Sequence, residues 1–245
     1  MLNERQIPVI NNWLHPKFLA TVDQEGQPNI VIVSSLEYFE GELIFGNLML
    51  WKTAQNLQDN PETSILVIDP QLNYFFVEGI FKGFAESGPA TEHLQKSDMV
   101  RYNAYTGFRN TGTIEITHVS PLRQFSPVRI LGKYVQSRIN IARQPVYFPK
   151  AVADKFSAMK SIKVVAYYDG KLHIEIVPAV RCSGDYLHTS IEFPPGVKYA
   201  ANVITPEVVS FQVRGTVKEK GLHVAEIYAC GPPVPGKKIY PLSPS

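Results

Sequence analysis

Short apolar segments separated by turn-forming residues run through most of this sequence, and they constrain its fold more than any other feature. Each segment has the length of a β-strand, and the breaks carry turn residues, as in Asp23-Gln24-Glu25-Gly26. Closely spaced strands joined by short turns are typical of antiparallel barrels and sandwiches. We therefore predict a mainly β fold with short helices. In the first half the predicted strands are 18–22, 29–36, 42–45, 63–68, 74–86 and 112–119.

The second half of the chain resembles the first. Lys198-Tyr199-Ala200-Ala201-Asn202-Val203 repeats the pattern Lys-x-Ala-x-Asn-apolar of Lys52-Thr53-Ala54-Gln55-Asn56-Leu57, which lies 146 positions earlier. Segment 163–170 likewise resembles 18–26. Self-similarity over several elements indicates a repeated structural unit, so we predict a tandem repeat. The predicted divisions are an N-terminal barrel at 1–125, a basic linker at 126–149 and a degenerate C-terminal barrel repeat at 150–245.

The stretch Gly46–Leu57 is the strongest candidate for a binding site. It follows a predicted strand and leads into a helix that ends before Pro61, because proline blocks further helix. Lys52 offers a charge and Thr53 a hydroxyl where the first helical turn has backbone N–H groups to donate, so this stretch can hold an anion. In the second copy Tyr199 replaces Thr53 and two prolines precede the lysine, so we expect the first copy to be the better site.

Charge is distributed unevenly along the chain. Residues 1–125 carry 8 basic and 14 acidic residues, whereas residues 126–245 carry 16 and 8, which gives net charges of −6 and +8. We expect either that the oppositely charged halves face each other or that the basic half meets anionic ligands. Segment 126–149 has four basic residues and no acidic one, which fits a solvated linker or a patch for phosphate or lipid. Scattered basic residues without a recognised motif argue against a nucleic acid partner.

Composition and residue spacing exclude several other classes of protein. A content of 44% hydrophobic and 19% charged residues is typical of a globular domain rather than a disordered chain. No apolar run approaches the roughly 20 residues of a spanning helix, and the N-terminus lacks a signal layout, so we expect a cytoplasmic protein without a membrane partner. Cys182 and Cys230 are expected to be free thiols. The six histidines lack zinc-ligand spacing, so no metal site is predicted.

The first half resembles the FMN-binding split barrels of the pyridoxamine 5′-phosphate oxidase class, which include small FMN-binding proteins and flavin reductases. The resemblance covers about residues 2–125 well and 150–235 faintly. It implies two tandem antiparallel split β-barrels, each with short helices. The residues that carry it are Leu19-Ala20-Thr21-Val22-Asp23, Gly26, Pro28, the run Ile30–Leu36, Glu40-Gly41, Lys52-Thr53, Asn56-Leu57, Asn60-Pro61 and Glu78-Gly79.

By position, the resemblance implies that Lys52 and Thr53 hold the phosphate of FMN. It also implies that the loop before them and the strand one hairpin earlier lie along the isoalloxazine. Family sites lie at a dimer interface, so a tandem chain is expected to form an internal pseudo-dimer, and a homodimer of the whole chain is also compatible. The implied cofactor-binding residues are Asn47, Leu50, Trp51, Lys52, Thr53, Asn56, Val33 and Ser34.

The function implied by the resemblance is that of an FMN-dependent oxidoreductase. Such a protein transfers electrons or a hydride between a small redox partner, such as a reduced nicotinamide, and an acceptor. The arginine-rich C-terminal signature of the true oxidase is missing, so pyridoxamine phosphate is not inferred as the substrate, and no catalytic acid or base is identified. Two alternatives stay open. One is a non-catalytic duplicated barrel for binding or assembly, and the other is a haem-binding split barrel.

Overall fold

The structure is a computed structural model that describes residues 1–48, 50–102, 108–139, 144–230 and 236–241, with the side chains of 101 and 102 excepted. Met49 of the candidate loop and Arg143 of the basic linker therefore lie outside the described residues. The chain divides into two compact units. Unit 1 consists of Met1–Glu25 and Val31–Phe125, and unit 2 consists of Gly26–Ile30 and Ser126–Ser245.

The first sheet contains eight strands, accompanied by four short helices. The elements are α1 Ile7–Asn11, β1 Lys17–Val22, β2 Pro28–Ile32, β3 Glu37–Phe39, β4 Glu42–Gly46, α2 Trp51–Asp59, β5 Glu62–Ile68, β6 Asn73–Ala85, α3 Pro89–Lys96, α4 Asp98–Tyr102, β7 Thr111–Val119 and β8 Arg123–Gln124. The strand order is β2-β1-β5-β6-β7-β4-β3, and β8 pairs with β6. Apolar side chains such as Leu19, Phe45, Ile65 and Phe75 are buried together as the core of this unit.

The second sheet also contains eight strands. The elements of this half of the chain are α5 Pro127–Ile139, α6 Lys150–Ser157, β9 Ile162–Tyr168, β10 Leu172–Ile176, β11 Val180–Ser183, β12 Tyr186–Thr189, β13 Lys198–Ile204, β14 Ser210–Lys218, β15 Gly221–Ala229 and β16 Lys237–Tyr240. The order is β10-β9-β13-β14-β15-β12-β11, and β16 pairs with β15. Its core includes Val165, Tyr199, Val213 and Ile227. The predicted mainly β, antiparallel architecture with short helices is confirmed.

The two sheets have the same strand order when β1 to β7 are matched with β9 to β15. Lys17 in β1 lies opposite Val67 in β5, and Lys163 in β9 lies opposite Val203 in β13, so these strand pairs correspond residue by residue. The pairing β6–β7 is irregular at Gly79, and the pairing β14–β15 is irregular at the corresponding Gly215. Because sheet register places each residue on one face or the other, it defines which positions are equivalent.

This register corrects the alignment made from the sequence. Segment 198–203 does not correspond to the helical segment 52–57, because Lys198–Ile204 is the strand β13 and is equivalent to β5. The connection 190–197, all of whose residues the structure describes, contains no helix. Pro194 and Pro195 lie in it, and neither can donate a backbone N–H to a helix. The shared pattern Lys-x-Ala-x-Asn therefore joins positions that are not equivalent.

Two further segments differ from the sequence expectation. The predicted strand 29–36 is shorter, because β2 ends at Ile32 and the chain turns at Ser34 and Ser35 before β3. The segment expected to be a linker contains the helix α5, which begins at Pro127. Proline at the first helical position is favourable, since its missing N–H would have no intrahelical partner there. The sequence analysis did not predict this helix, and none of its residues is fully buried.

Candidate functional site

The loop after β4 is held by hydrogen bonds on both sides. Ser35 Oγ accepts a hydrogen bond from Gly46 N at 3.1 Å. Asn47 donates from its backbone N to Asn110 O at 2.9 Å and from Nδ2 to Asn110 Oδ1 at 3.0 Å, and it accepts from Arg109 N at 3.3 Å. These contacts fix the backbone at Gly46 and Asn47, a few residues ahead of α2. A fixed loop can present a helix terminus to a ligand with little loss of conformational freedom on binding.

The N-terminus of α2 has the chemistry expected of an anion site. Leu50 is the N-cap residue, and its apolar side chain supplies no capping hydrogen bond. The first turn contains no acidic residue, and Lys52 is exposed there. Backbone N–H groups and the positive end of the helix dipole favour an anion at such a terminus. The structure thus places Lys52 and Thr53 together in the helical turn where the sequence predicted them.

Arg109 adds a second cation beside this turn. Its guanidinium carbon lies 4.3 Å from the centroid of the Trp51 ring, within the range of a cation–π contact. Trp51 is the first residue of α2 and its side chain is 60% exposed, so most of the indole is accessible. The sequence analysis missed Arg109, because it stands in the irregular segment before β7 and belongs to no recognisable motif. Arg109 comes near Trp51 only because β7 pairs with β4.

The buried face of α2 fixes the direction of the helix. Thr53, Asn56 and Leu57 are buried, whereas the flanking residues face water. Asn56 Nδ2 donates to Thr21 Oγ1 on β1 at 3.1 Å, inside the unit. This contact gives Asn56 a structural role, because it holds α2 against the sheet. Whether Asn56 also contacts a cofactor stays a prediction.

Val33 and Ser34 lie just after β2, in the turn that leads to β3. Val33 is buried, whereas the side chain of Ser34 is exposed. The backbone of this turn is held by Lys17, whose Nζ donates to Ser34 O at 3.0 Å and to Leu36 O at 2.7 Å. Lys17 is fully buried, and this burial lowers the pKa of its ammonium to about 8, although the nearby Glu37 carboxylate opposes the shift.

A cavity of about 500 Å³ lies beside β3 and α3 in unit 1. His93 Nε2 lies 3.0 Å from Glu37 Oε2 there, and the Phe39 and His93 rings are 4.5 Å apart between centroids. None of the eight predicted cofactor-binding residues lines this cavity. Among the residues that the structure describes, no three His, Cys, Asp or Glu side chains are grouped as a metal site requires. This cavity is therefore distinct from the start of α2.

The described helices include none with the length and apolar character needed to cross a membrane.

No family model matches the sequence, and no curated protein is significantly similar to it. Solved structures that are similar include HupZ from Group A Streptococcus, with 24% identity and a TM-score of 0.41 over 49% of this chain and 92% of that chain. An FMN-binding protein from Syntrophomonas wolfei has 19% identity and a TM-score of 0.43 over 50% of this chain and 87% of that chain. The heme storage protein HutZ from Vibrio cholerae has 15% identity and a TM-score of 0.38 over 51% and 95%. FMN-binding structures are thus among those that resemble about half of this chain.

Proposed function

We propose that this protein binds FMN at the start of α2 and uses it for electron or hydride transfer with a small redox partner such as a reduced nicotinamide. One observation carries the proposal. The N-terminal turn of α2 has an apolar N-cap and no acidic residue, and it brings Lys52 and Thr53 together with Arg109 close by. This is the chemistry that a phosphate monoester needs, because backbone N–H groups and two cations can bind its oxygens, while buried Thr53 lies on the inner side of the same turn.

The residues around this turn fit the remaining parts of the cofactor. Bound FMN would supply an isoalloxazine that accepts and donates one or two electrons. The exposed indole of Trp51 offers a flat aromatic surface, and half-buried Leu50 offers an apolar one. The hydrogen bonds of Asn47 to Asn110 hold the backbone a few residues ahead of these two side chains. In this proposal the protein binds and orients the cofactor, and it limits the access of water to the ring.

The proposal includes a tandem origin for the two units. Its support is the shared strand order, together with the equivalent irregularities at Gly79 and Gly215. It also includes a cytoplasmic location, supported by the free thiols of Cys182 and Cys230. Burial raises the pKa of Cys182 to about 12 and that of Cys230 to about 11, so both thiols stay protonated and are unreactive near neutral pH.

The test is an FMN titration of the purified protein, followed by absorption and flavin fluorescence. Replacing Lys52 by Ala removes a charge-assisted contact, so we expect FMN to bind about 10- to 100-fold more weakly. Lys198→Ala is the matched control, because the sequence pattern is the same but this lysine lies on the strand β13. It should leave the affinity unchanged.

Other outcomes would overturn the proposal. A protein that does not bind added FMN contradicts it, and a Soret band in the purified protein would favour the haem alternative. An affinity that depends on Lys198 and not on Lys52 would mean that the wrong unit was chosen. Anaerobic addition of a reduced nicotinamide to the FMN complex then tests the redox role. Bleaching of the flavin band supports it, and no bleaching with any nicotinamide contradicts a nicotinamide donor.

A further inference from the structure

Helix α5 presents its apolar side chains to solvent. Val128, Leu131, Val135 and Ile139 are 79%, 51%, 48% and 74% exposed. At about 100° per residue these four positions lie within about one quarter of the circumference of the helix. They form one continuous row, which we call the α5 stripe. An exposed apolar row of this kind commonly marks a surface that contacts something else.

The side of α5 opposite the stripe is the one that contacts the rest of unit 2. Ile130, Lys133, Tyr134 and Ser137 are half-buried there. Arg181 Nη1 donates to Arg138 O at 2.7 Å, and Arg138 Nη2 donates to Ser157 O at 2.6 Å, so the C-terminal turn is attached to unit 2. A surface helix normally buries its apolar face and exposes its polar face. In α5 the usual arrangement is reversed, because mainly polar side chains face unit 2.

The charge of α5 identifies the kind of surface that the stripe would contact. Arg129, Lys133 and Arg138 lie on this helix, and the sequence from 126 to 149 contains no acidic residue. On the helical projection Arg129 and Arg138 lie on opposite sides of the stripe, about 120° and about 60° from its centre. Long basic side chains in these positions can extend their charges to a polar boundary while their stems stay on apolar material. The complementary surface is therefore apolar and bordered by negative charge.

A second copy of the chain fits the stripe poorly. In a two-fold contact between two α5 helices, neither helix offers an acidic residue to the basic residues of the other, and like charges brought together oppose association. A protein groove also fits poorly, because a groove surrounds much of a helix, and the opposite side of α5 is already in contact with unit 2. A flat surface can contact one exposed side only.

We propose that α5 is a membrane-surface helix, which lies in the interface of an anionic lipid bilayer with the α5 stripe in the acyl region and Arg129 at the headgroups. This proposal departs from the sequence expectation of no membrane partner, which was based on the absence of a run long enough to span a bilayer. An interfacial helix needs only one apolar side and is compatible with the short length of α5. This proposal is independent of cofactor binding, so either one can fail alone.

The test is co-sedimentation of the full-length protein with large vesicles of phosphatidylcholine, with and without phosphatidylglycerol as one lipid in three. We expect binding to the anionic vesicles only, and weaker binding when salt is raised, because salt screens the basic residues. The double variant Leu131→Asp with Val135→Asp should reduce the partition coefficient at least about tenfold, since it places two charges in the acyl region.

Two controls make the result specific. Leu14→Asp changes an apolar side chain of unit 1 that is 68% exposed, and it should leave vesicle binding unchanged. Circular dichroism and thermal unfolding check that the double variant is folded, as expected for exposed positions. The proposal is overturned if anionic vesicles are not bound, or if the folded double variant binds as well as the parent protein. It is also overturned if gel filtration shows a dimer that the double variant dissociates, because the stripe would then join two copies.

Discussion

The same six-residue pattern forms a helix in unit 1 and a strand in unit 2. In α2 the buried residues are Thr53, Asn56 and Leu57, which lie on one side of a helix. In β13 five consecutive residues, Tyr199–Val203, are buried, and the strand pairs along its two edges with β9 and β14. A central strand hidden on both faces tolerates a continuous buried run, whereas a surface helix does not. The comparison teaches that a short shared pattern does not identify equivalent positions.

The backbone pairing identifies them instead. Lys17 and Lys163 occupy corresponding positions, 146 residues apart, and each accepts a hydrogen bond at 2.9 Å through its carbonyl oxygen, from Val33 N and Val177 N. Val67 and Val203 correspond at a distance of only 136 residues, as do Gly79 and Gly215. The separation is already 144 at Val33 and Val177, and it falls to 136 where unit 2 lacks a counterpart of α2 between its corresponding strands. The separation of 146 between Lys52 and Lys198 is therefore a coincidence.

The largest effect is expected at the paired glycines. A Cβ on Gly79 would lie 2.7 Å from Glu115 O, and a Cβ on Gly215 would overlap His223 O. Because backbone must move in both cases, Gly79→Ala and Gly215→Ala should each lower the free energy of unfolding by about 3 kcal/mol. Urea unfolding measures the loss. If the units are equivalent here, both variants lose similar amounts.

The control for the glycines is Gly132→Ala on α5, where an added Cβ meets nothing within 4 Å. Because alanine has the higher helix propensity, this variant should be unchanged or more stable by up to about 1 kcal/mol. A large loss of stability in only one of Gly79→Ala and Gly215→Ala would show that the two irregular strand pairings are not equivalent.

We expect the two buried lysines to have an effect of similar size, which takes the form of a change in the free energy of unfolding with pH. Burial lowers the pKa of Lys17 to about 8 and that of Lys163 to about 8, below the ordinary value of 10.5. Between these values the unfolded chain binds more protons than the folded one, so each lysine increases stability as pH rises from about 8 to about 10.5. This increase in stability is about 3 kcal/mol for each lysine. Lys17→Met should lack the contribution of Lys17, and Lys163→Met should lack that of Lys163.

The measurement compares the unfolding free energies of parent and variant in urea at both ends of this pH interval. Comparing each variant with its parent cancels the titration of other groups. Lys82→Met is the control, because this exposed lysine is hydrogen-bonded to Glu115, which raises its pKa, and it should show no such gain. If the unfolding free energies of the parent and of each methionine variant differ by the same amount at both pH values, burial is refuted as the cause.

The smallest effect is expected at the contact that holds α2. Asn56→Ala and Thr21→Val should each cost about 1 kcal/mol of stability, and the double variant should lose less than the two together, because both remove one hydrogen bond. Tyr167 corresponds to Thr21 in unit 2, so that unit has no threonine at this position. A double-mutant cycle in urea measures the coupling. Strict additivity would show that this hydrogen bond does not stabilise α2.

Much of the fold could be predicted from local patterns. Alternation and turn residues located β1, β4, β5, β6 and β7 to within a few residues. The start and end of α2 followed from the position of Lys52 and from Pro61. These features are local, because turn chemistry and helix termination depend on a few neighbouring residues. The helix α5 was missed although its apolar residues recur at helical spacing, because the segment was interpreted from its charge as a linker.

The candidate site was only partly predictable. Lys52 and Thr53 are adjacent in sequence, so one helical turn necessarily brings them together. Arg109 lies more than fifty residues away, and its contact with Trp51 depends on the pairing of β4 with β7. Asn110 reaches Asn47 through the same pairing. No local pattern predicts such contacts, because the chain must close a long loop to make them.

The sequence by itself determined that this chain forms short antiparallel strands and that a helix begins near Lys52. Tertiary structure decided which positions of the two units are equivalent, that the second lysine pattern is a strand, and that Arg109 stands beside Trp51. The physical reason is that backbone conformation responds to neighbouring residues, whereas register and burial depend on hydrogen bonds and packing between segments distant in the chain.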